Sequence, residues 1–151
     1  TDPETATDAY TWFVAGKGAY DYYDQQSVFA QMGKEVNKKQ IGSSIIEGFD
    51  YFSKALPLDT ITDSKGKVKT KYSKDIVKQV VNHYNDFNNA ALFLWEAEDY
   101  PGAVKAWELY TTLPNNPVFA KGGIKAPADT LIAEIMYNMG IGNSLAQDSR
   151  P

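Results

Sequence analysis

The chain has 151 residues, 43% of them apolar and 23% charged, with a formal net charge of −4. This supplies one ordinary core, and the mild acidity removes the electrostatic basis for binding nucleic acid or an anionic membrane surface. The absence of cysteine excludes disulfides, thiolate catalysis and cysteine-based zinc sites, and the longest apolar run, Ala90 to Trp95, is far short of the ~20 residues a membrane span needs.

Five helices are predicted from start signals, apolar spacing and stops. The first opens with Asp2 as N-cap and Pro3 at the first helical position. It runs to about Tyr23 or beyond, with Tyr10 or Trp12, Ala15, Ala19 and Tyr23 inward. The second opens at Asn37, with Gln40 three residues on as in a capping box. Ile41, Ile45, Gly48, Phe49, Phe52, Ala55 and Leu56 then follow at helical spacing until Pro57 ends the run.

Residues 58–72 form a polar connection. Asp63-Ser64-Lys65-Gly66 is a turn sequence between the β-prone pieces Thr60–Thr62 and Val68–Thr70, which allows a small β-hairpin. The lysines at 65, 67, 69, 71 and 74 read as a solvated basic loop. A third helix is expected to be capped by Ser73 and to stay apolar on one face for more than five turns, through Ile76, Val80, Tyr84, Phe87, Ala91, Leu94 and Trp95. Asp99 caps a fourth helix, with Ala103, Val104, Trp107 and Tyr110 inward, which stops at Pro114–Pro117. After a loop over Val118–Ala126, Pro127 starts a fifth helix, with Leu131, Ile132, Ile135, Met136 and Met139 inward. The fold class is therefore all-α, built from antiparallel helix pairs.

Three segments align with one another: Trp12-x-x-Ala15-Gly16-x-x-Ala19, Phe87-x-x-Ala90-Ala91-x-x-Leu94 and Met136-x-x-Met139-Gly140-x-x-Asn143. Their partner helices align as Gly48-x-x-x-Phe52 with Ala103-x-x-x-Trp107. The chain thereby resembles the tetratricopeptide-repeat (TPR) family, the middle unit most closely. The resemblance implies a single TPR-like domain over 1–151, stacked as an α-solenoid, with units at about 3–57 and 73–117 and an incomplete unit at 127–151. The first unit departs from the family pattern by carrying roughly twenty extra residues between its helices. On this alignment the chain stops just short of the third unit's partner helix, so the helix over 128–148 is expected to be uncovered and to promote self-association, or to be covered by further repeats of a longer protein.

Gly16, Gly18, Gly48, Gly140 and Gly142 fall inside predicted helices, where each costs about 1 kcal/mol relative to alanine. Close approach of paired helices is the expected reason, with Gly16 and Gly140 as its principal sites.

No constellation points to catalysis. His83, the only histidine, has Asp86 as its one carboxylate neighbour at helical spacing and reads as an ordinary surface or groove residue. Gly16-x-Gly18 and Gly140-x-Gly142 follow no strand and precede no Lys-Ser/Thr pair, unlike a phosphate loop. Glu96, Glu98 and Asp99 are explained by a turn and a cap. No enzymatic activity, cofactor or metal is expected.

The TPR resemblance implies a protein- or peptide-binding scaffold whose groove is lined by the first helix of each pair. Mapped here, that face carries Tyr10, Phe13, Lys17 and Tyr20, then Asn85, Asn88, Asn89, Leu92 and Trp95, then Glu134, Tyr137, Asn138 and Ile141. The carboxylate clamp of some TPR cochaperones is not reproduced, because Phe13 stands where a lysine is wanted and Glu134 has the wrong sign. The second reading is a glycan- or nutrient-binding envelope protein, with tyrosines, Tyr20 among them, stacking on sugar faces. Ala55-Leu56-Pro57-Leu58-Asp59 and Ala126-Pro127-Ala128-Asp129-Thr130 resemble phrases of exported TPR proteins of Bacteroides-like bacteria. That likeness implies a periplasmic or cell-envelope location after removal of a leader, which acidic Thr1–Glu4 does not itself contain; the alternative is a soluble cytoplasmic protein.

Overall fold

Polar side chains at loop ends set the helix starts. In the computed structural model, which describes residues 8–148, Asp8 accepts a hydrogen bond from the Tyr10 N–H and opens α1 (Ala9–Gln31). The expected start at Asp2 and Pro3 lies outside the described residues. Asn37 caps α2 (Lys38–Leu58) by accepting from the Gln40 N–H, as the spacing predicts. Pro57 sits in the last turn of α2. The hairpin is present as β1 (Ile61–Thr62) and β2 (Val68–Lys69), antiparallel, pairing Ile61 with Lys69 and Thr62 with Val68. Asp63 closes the turn by accepting from the N–H groups of Lys65 and Lys67.

The cap of the next helix departs from expectation. Ser73 is the first residue of α3 (Ser73–Asn82) rather than its N-cap, and the acceptor comes from Asp59 across the hairpin. Asp59 is buried and accepts from the N–H groups of Lys71, Tyr72 and Ser73 and from the Ser73 hydroxyl. Burial pushes its carboxyl pKa up, but these hydrogen bonds, that of the Ser73 hydroxyl foremost, hold it below the ordinary 3.8.

The expected long third helix is two helices. The chain turns at His83, between α3 and α4 (Tyr84–Glu96), with φ −99° and ψ 12°. The His83 ring is held from two sides there: Nδ1 lies 2.8 Å from the Gln79 carbonyl oxygen and Nε2 lies 2.9 Å from Asp24 of α1. Asp99 then caps α5 (Tyr100–Thr112) by accepting from the Gly102 N–H. A 3₁₀ turn follows over Leu113–Asn115, and the expected loop contains a short helix, α6 (Pro117–Ala120). The last described element is α7 (Asp129–Asp148). No helix among the described residues is long and apolar enough to cross a membrane.

Successive long helices pack on one another in chain order, α1 on α2, α2 on α4, α4 on α5 and α5 on α7. Aromatic rings fill the seams: Tyr20 meets Phe52 edge-on at 5.2 Å, Phe49 meets Phe87 at 5.8 Å, and Tyr84 stacks on Tyr110 at 4.6 Å. Glycines admit these rings. A Cβ on Gly16 would stand 2.5 Å from the Phe52 ring, and one on Gly48 would stand 2.5 Å from the Tyr20 ring. On Gly42 it would stand 2.5 Å from the Leu94 side chain and 2.7 Å from the Ala90 carbonyl oxygen, so α2 and α4 nearly touch.

The third repeat needs correcting. Gly140 and Gly18 have nothing within 4 Å of where a Cβ would stand, whereas Gly142 faces Val104 and Trp95 of the preceding pair. On α7, Ile135 is buried, Leu131, Ile132 and Met139 are half-buried, and Met136 is exposed, so the inward face is Ile135, Met139 and Gly142. The first repeat shifts likewise, to Phe13, Gly16, Tyr20 and Tyr23.

Two outcomes follow from this packing. In urea unfolding, Gly42→Ala costs about 2–3 kcal/mol through overpacking, while Gly140→Ala is neutral or stabilises by up to about 1 kcal/mol. Asp59 has a depressed folded-state pKa, so its contribution is fully present above its unfolded value and is lost as pH falls through the lower folded value. Asp59→Ala therefore costs about 2–3 kcal/mol at pH 7, and its penalty relative to wild type shrinks below about pH 4, measured by denaturant titration across pH.

Candidate functional site

The C-terminal half of α1, the outer face of α4 and the first residue of α2 enclose an open cleft of about 460 Å³. α4 contributes Asp86, Asn89, Leu92, Phe93 and Glu96, and α1 contributes Tyr23, Ser27, Ala30 and Gln31. Lys38 closes one side and pairs with Glu96 at 2.7 Å. The floor is aromatic, with Tyr23 and Phe93 in edge contact at 6.4 Å. Asn89 and Leu92 remain exposed on one flank of α4 and stand beside this apolar floor.

A polar cluster lies at the α1–α4 end of the cleft. Tyr23 donates its hydroxyl to Asp86 Oδ1 at 3.2 Å, and the Asn89 amide donates to the same oxygen at 3.2 Å. The Tyr23 phenol pKa is raised well above its ordinary value, first by burial and then by the negative charge of Asp86 and the hydrogen bond to it. Next to it, His83 is buried and faces both Asp24 oxygens, at 2.9 and 3.1 Å. His83 is thus neither a surface residue nor limited to its helical neighbour Asp86.

Of the thirteen groove residues expected from the sequence, this cleft gathers two, Asn89 and Leu92. Phe13 and Tyr20 are core residues: Phe13 stacks on Tyr72 at 4.8 Å, and Tyr20 is fully buried against Phe52 and His83. A sugar-stacking role for Tyr20 is therefore removed. Trp95 is half-buried between Tyr100 and Trp107. Asn88 is structural, accepting a hydrogen bond from the Trp107 indole N–H at 2.8 Å. Tyr10, Lys17 and Asn85 are exposed but do not line the cleft. On α7, Glu134, Tyr137 and Ile141 are exposed and Asn138 is half-buried, and none of them reaches it.

Sequence reasoning missed the other eight lining residues, among them Tyr23, Lys38, Asp86 and Phe93. The exposed run Asn85, Asn89, Leu92 and Glu96, at helical spacing on one side of α4, is the signal in the sequence that could have located the cleft. The α1 wall carries no such signal: the apolar spacing defines the first helix to about Tyr23, and Ser27, Ala30 and Gln31 lie beyond it.

No family model matches the chain, and comparison with curated proteins and with solved structures yields no match either.

The structural role of Asn88 is testable on its own. Asn88→Ala leaves the buried Trp107 N–H without its acceptor and lowers stability by about 1–3 kcal/mol in chemical denaturation, where a purely surface residue would change it by less than about 0.5 kcal/mol.

Proposed function

We propose that this chain is a non-enzymatic scaffold of TPR-like helix pairs that binds an extended peptide or protein segment in the cleft between α1 and α4. The observation carrying this reading is the makeup of the open cleft: an aromatic floor bordered by amide side chains. Phe93 and Leu92 offer contact area to a partner's side chains. Gln31 and Asn89 can both donate to and accept from a partner's peptide groups, which satisfies backbone polarity that would otherwise be costly to bury. The Lys38–Glu96 pair at the rim sets register through charge rather than supplying much affinity.

The test uses a displayed library of random linear peptides, selected on the wild-type chain. Leu92→Asp and Asn89→Ala are expected to weaken a selected peptide by about 1–2 kcal/mol each, or roughly 5- to 30-fold in Kd by calorimetry. Exposed Tyr137→Ala, on α7, is expected to leave binding unchanged. Peptides that bind all three variants equally would place the interaction elsewhere and remove the cleft from the account.

A further inference from the structure

We propose that Asp24, His83 and Asp86 form a binding site for one divalent transition-metal ion of the zinc class. Each residue offers one ligand atom, and the three atoms lie within 4.8 Å of one another. They come from two elements: Asp24 from α1, and His83 and Asp86 from the α3–α4 junction and the first turn of α4.

The orientation of the His83 ring carries the argument. A carbonyl oxygen can only accept, so Nδ1 donates to the Gln79 carbonyl. Nε2 is thereby aimed at both oxygens of Asp24, at 2.9 and 3.1 Å. Either a proton or a metal ion must lie between Nε2 and those oxygens, and the third ligand atom, from Asp86, favours the metal. A ring whose far nitrogen is tied to a backbone carbonyl, with its near nitrogen aimed at carboxylates, is the usual arrangement around a metal-bound histidine.

The spacing also suits a metal. Ligands about 2.1 Å from a shared ion are separated by ~3.0 Å when cis and by at most ~4.2 Å, so a modest carboxylate rotation gathers all three. Asp86 is oriented by Tyr23 and Asn89, which both bond to Oδ1 and leave Oδ2 uncommitted. The charges are complementary as well: the site brings two carboxylates together, and among the described ion pairs no lysine or arginine offsets them. Lys38, the cation of the neighbouring cleft, is engaged by Glu96.

Tyr20 is an independent mark of a missing polar partner. Its ring lies 4.5 Å from the His83 ring, and its fully buried hydroxyl has no hydrogen-bond partner among the described residues. Burial raises its pKa first, and the negative charge of Asp86 adds to this. A water carried by the ion would give such a hydroxyl a partner. Three protein ligands leave coordination positions for that water, as open zinc sites do. Imidazole nitrogen together with carboxylate oxygen selects zinc, nickel, cobalt or iron over magnesium and calcium, which prefer oxygen alone.

The experiment is calorimetric titration of the tag-free, chelator-stripped chain with Zn²⁺, and separately with Mg²⁺ and Ca²⁺. The expected result is one-to-one Zn²⁺ binding, weak or no response to the other two ions, and a Tm that rises with Zn²⁺ concentration. Co²⁺ should give a visible absorption band that Zn²⁺ displaces. Asp24→Asn, on an exposed side chain, is expected to reduce Zn²⁺ affinity by more than about 100-fold, and Tyr23→Phe, which loosens Asp86, by about 10-fold. Circular dichroism of each variant shows that the fold is retained. Absent Zn²⁺ binding overturns the proposal and leaves an imidazolium–carboxylate pair as the reason for the geometry; Zn²⁺ binding of equal strength in Asp24→Asn and His83→Gln overturns it too. Neither result depends on whether the cleft takes a peptide.

Discussion

The arrangement depends on a ring seated where a side chain is missing. Phe52 occupies the space a Cβ would take at Gly16, and Tyr20 does the same at Gly48, so α1 and α2 lock reciprocally, each supplying one glycine and one ring. Gly42 extends this to the next seam, where the Leu94 side chain and the Ala90 carbonyl of α4 come up against the α2 backbone. Each glycine inside a helix costs propensity, on the order of 1 kcal/mol, and the burial of a whole aromatic ring offsets it. Close packing in turn places α1 near α4, and that proximity creates both the cleft and the Asp24–His83 contact.

The break at His83 is a consequence of the same proximity. The face through Ile76, Val80, Phe87 and Leu94 is buried as its spacing demands, yet the helix does not run through. Its ring bonds backward to Gln79 and outward to Asp24, 59 residues away in sequence. Local propensity carries no information about such a partner, and so the α3–α4 junction was not legible. Asp59 repeats the lesson: a carboxylate 14 residues before Ser73 does the capping that Ser73 was expected to do. By contrast, Asn37, Asp99 and the Asp63–Gly66 turn act within four residues of themselves, and all three were readable from the sequence.

Register marks a second limit of sequence reading. Large-small-apolar alignment paired Trp12 with Phe87 and Met136, but burial selects Phe13 and Ile135, one residue later and one earlier. In α1 several neighbouring positions, Trp12, Phe13, Ala15 and Gly16, are all apolar or small, so the sequence alone does not choose the inward stripe. Packing chooses it: the stripe that wins is the one whose glycine faces a ring. The same ambiguity exchanged Gly140 for Gly142 in α7, and it placed core residues Phe13 and Tyr20 in a groove. The all-α class and the order of the long helices survived because they rest on periodicity summed over many turns, whereas side-chain placement rests on single positions.

The central physical claim is that ring and glycine are energetically coupled across the α1–α2 seam. A double-mutant cycle on Gly16→Ala and Phe52→Leu measures it directly in chemical denaturation. Shrinking the ring should relieve the added methyl, so the double variant is expected to be at least about 1 kcal/mol more stable than the sum of the single effects predicts. Strictly additive energies would mean that Gly16 is not there to admit Phe52, and the packing account would fail.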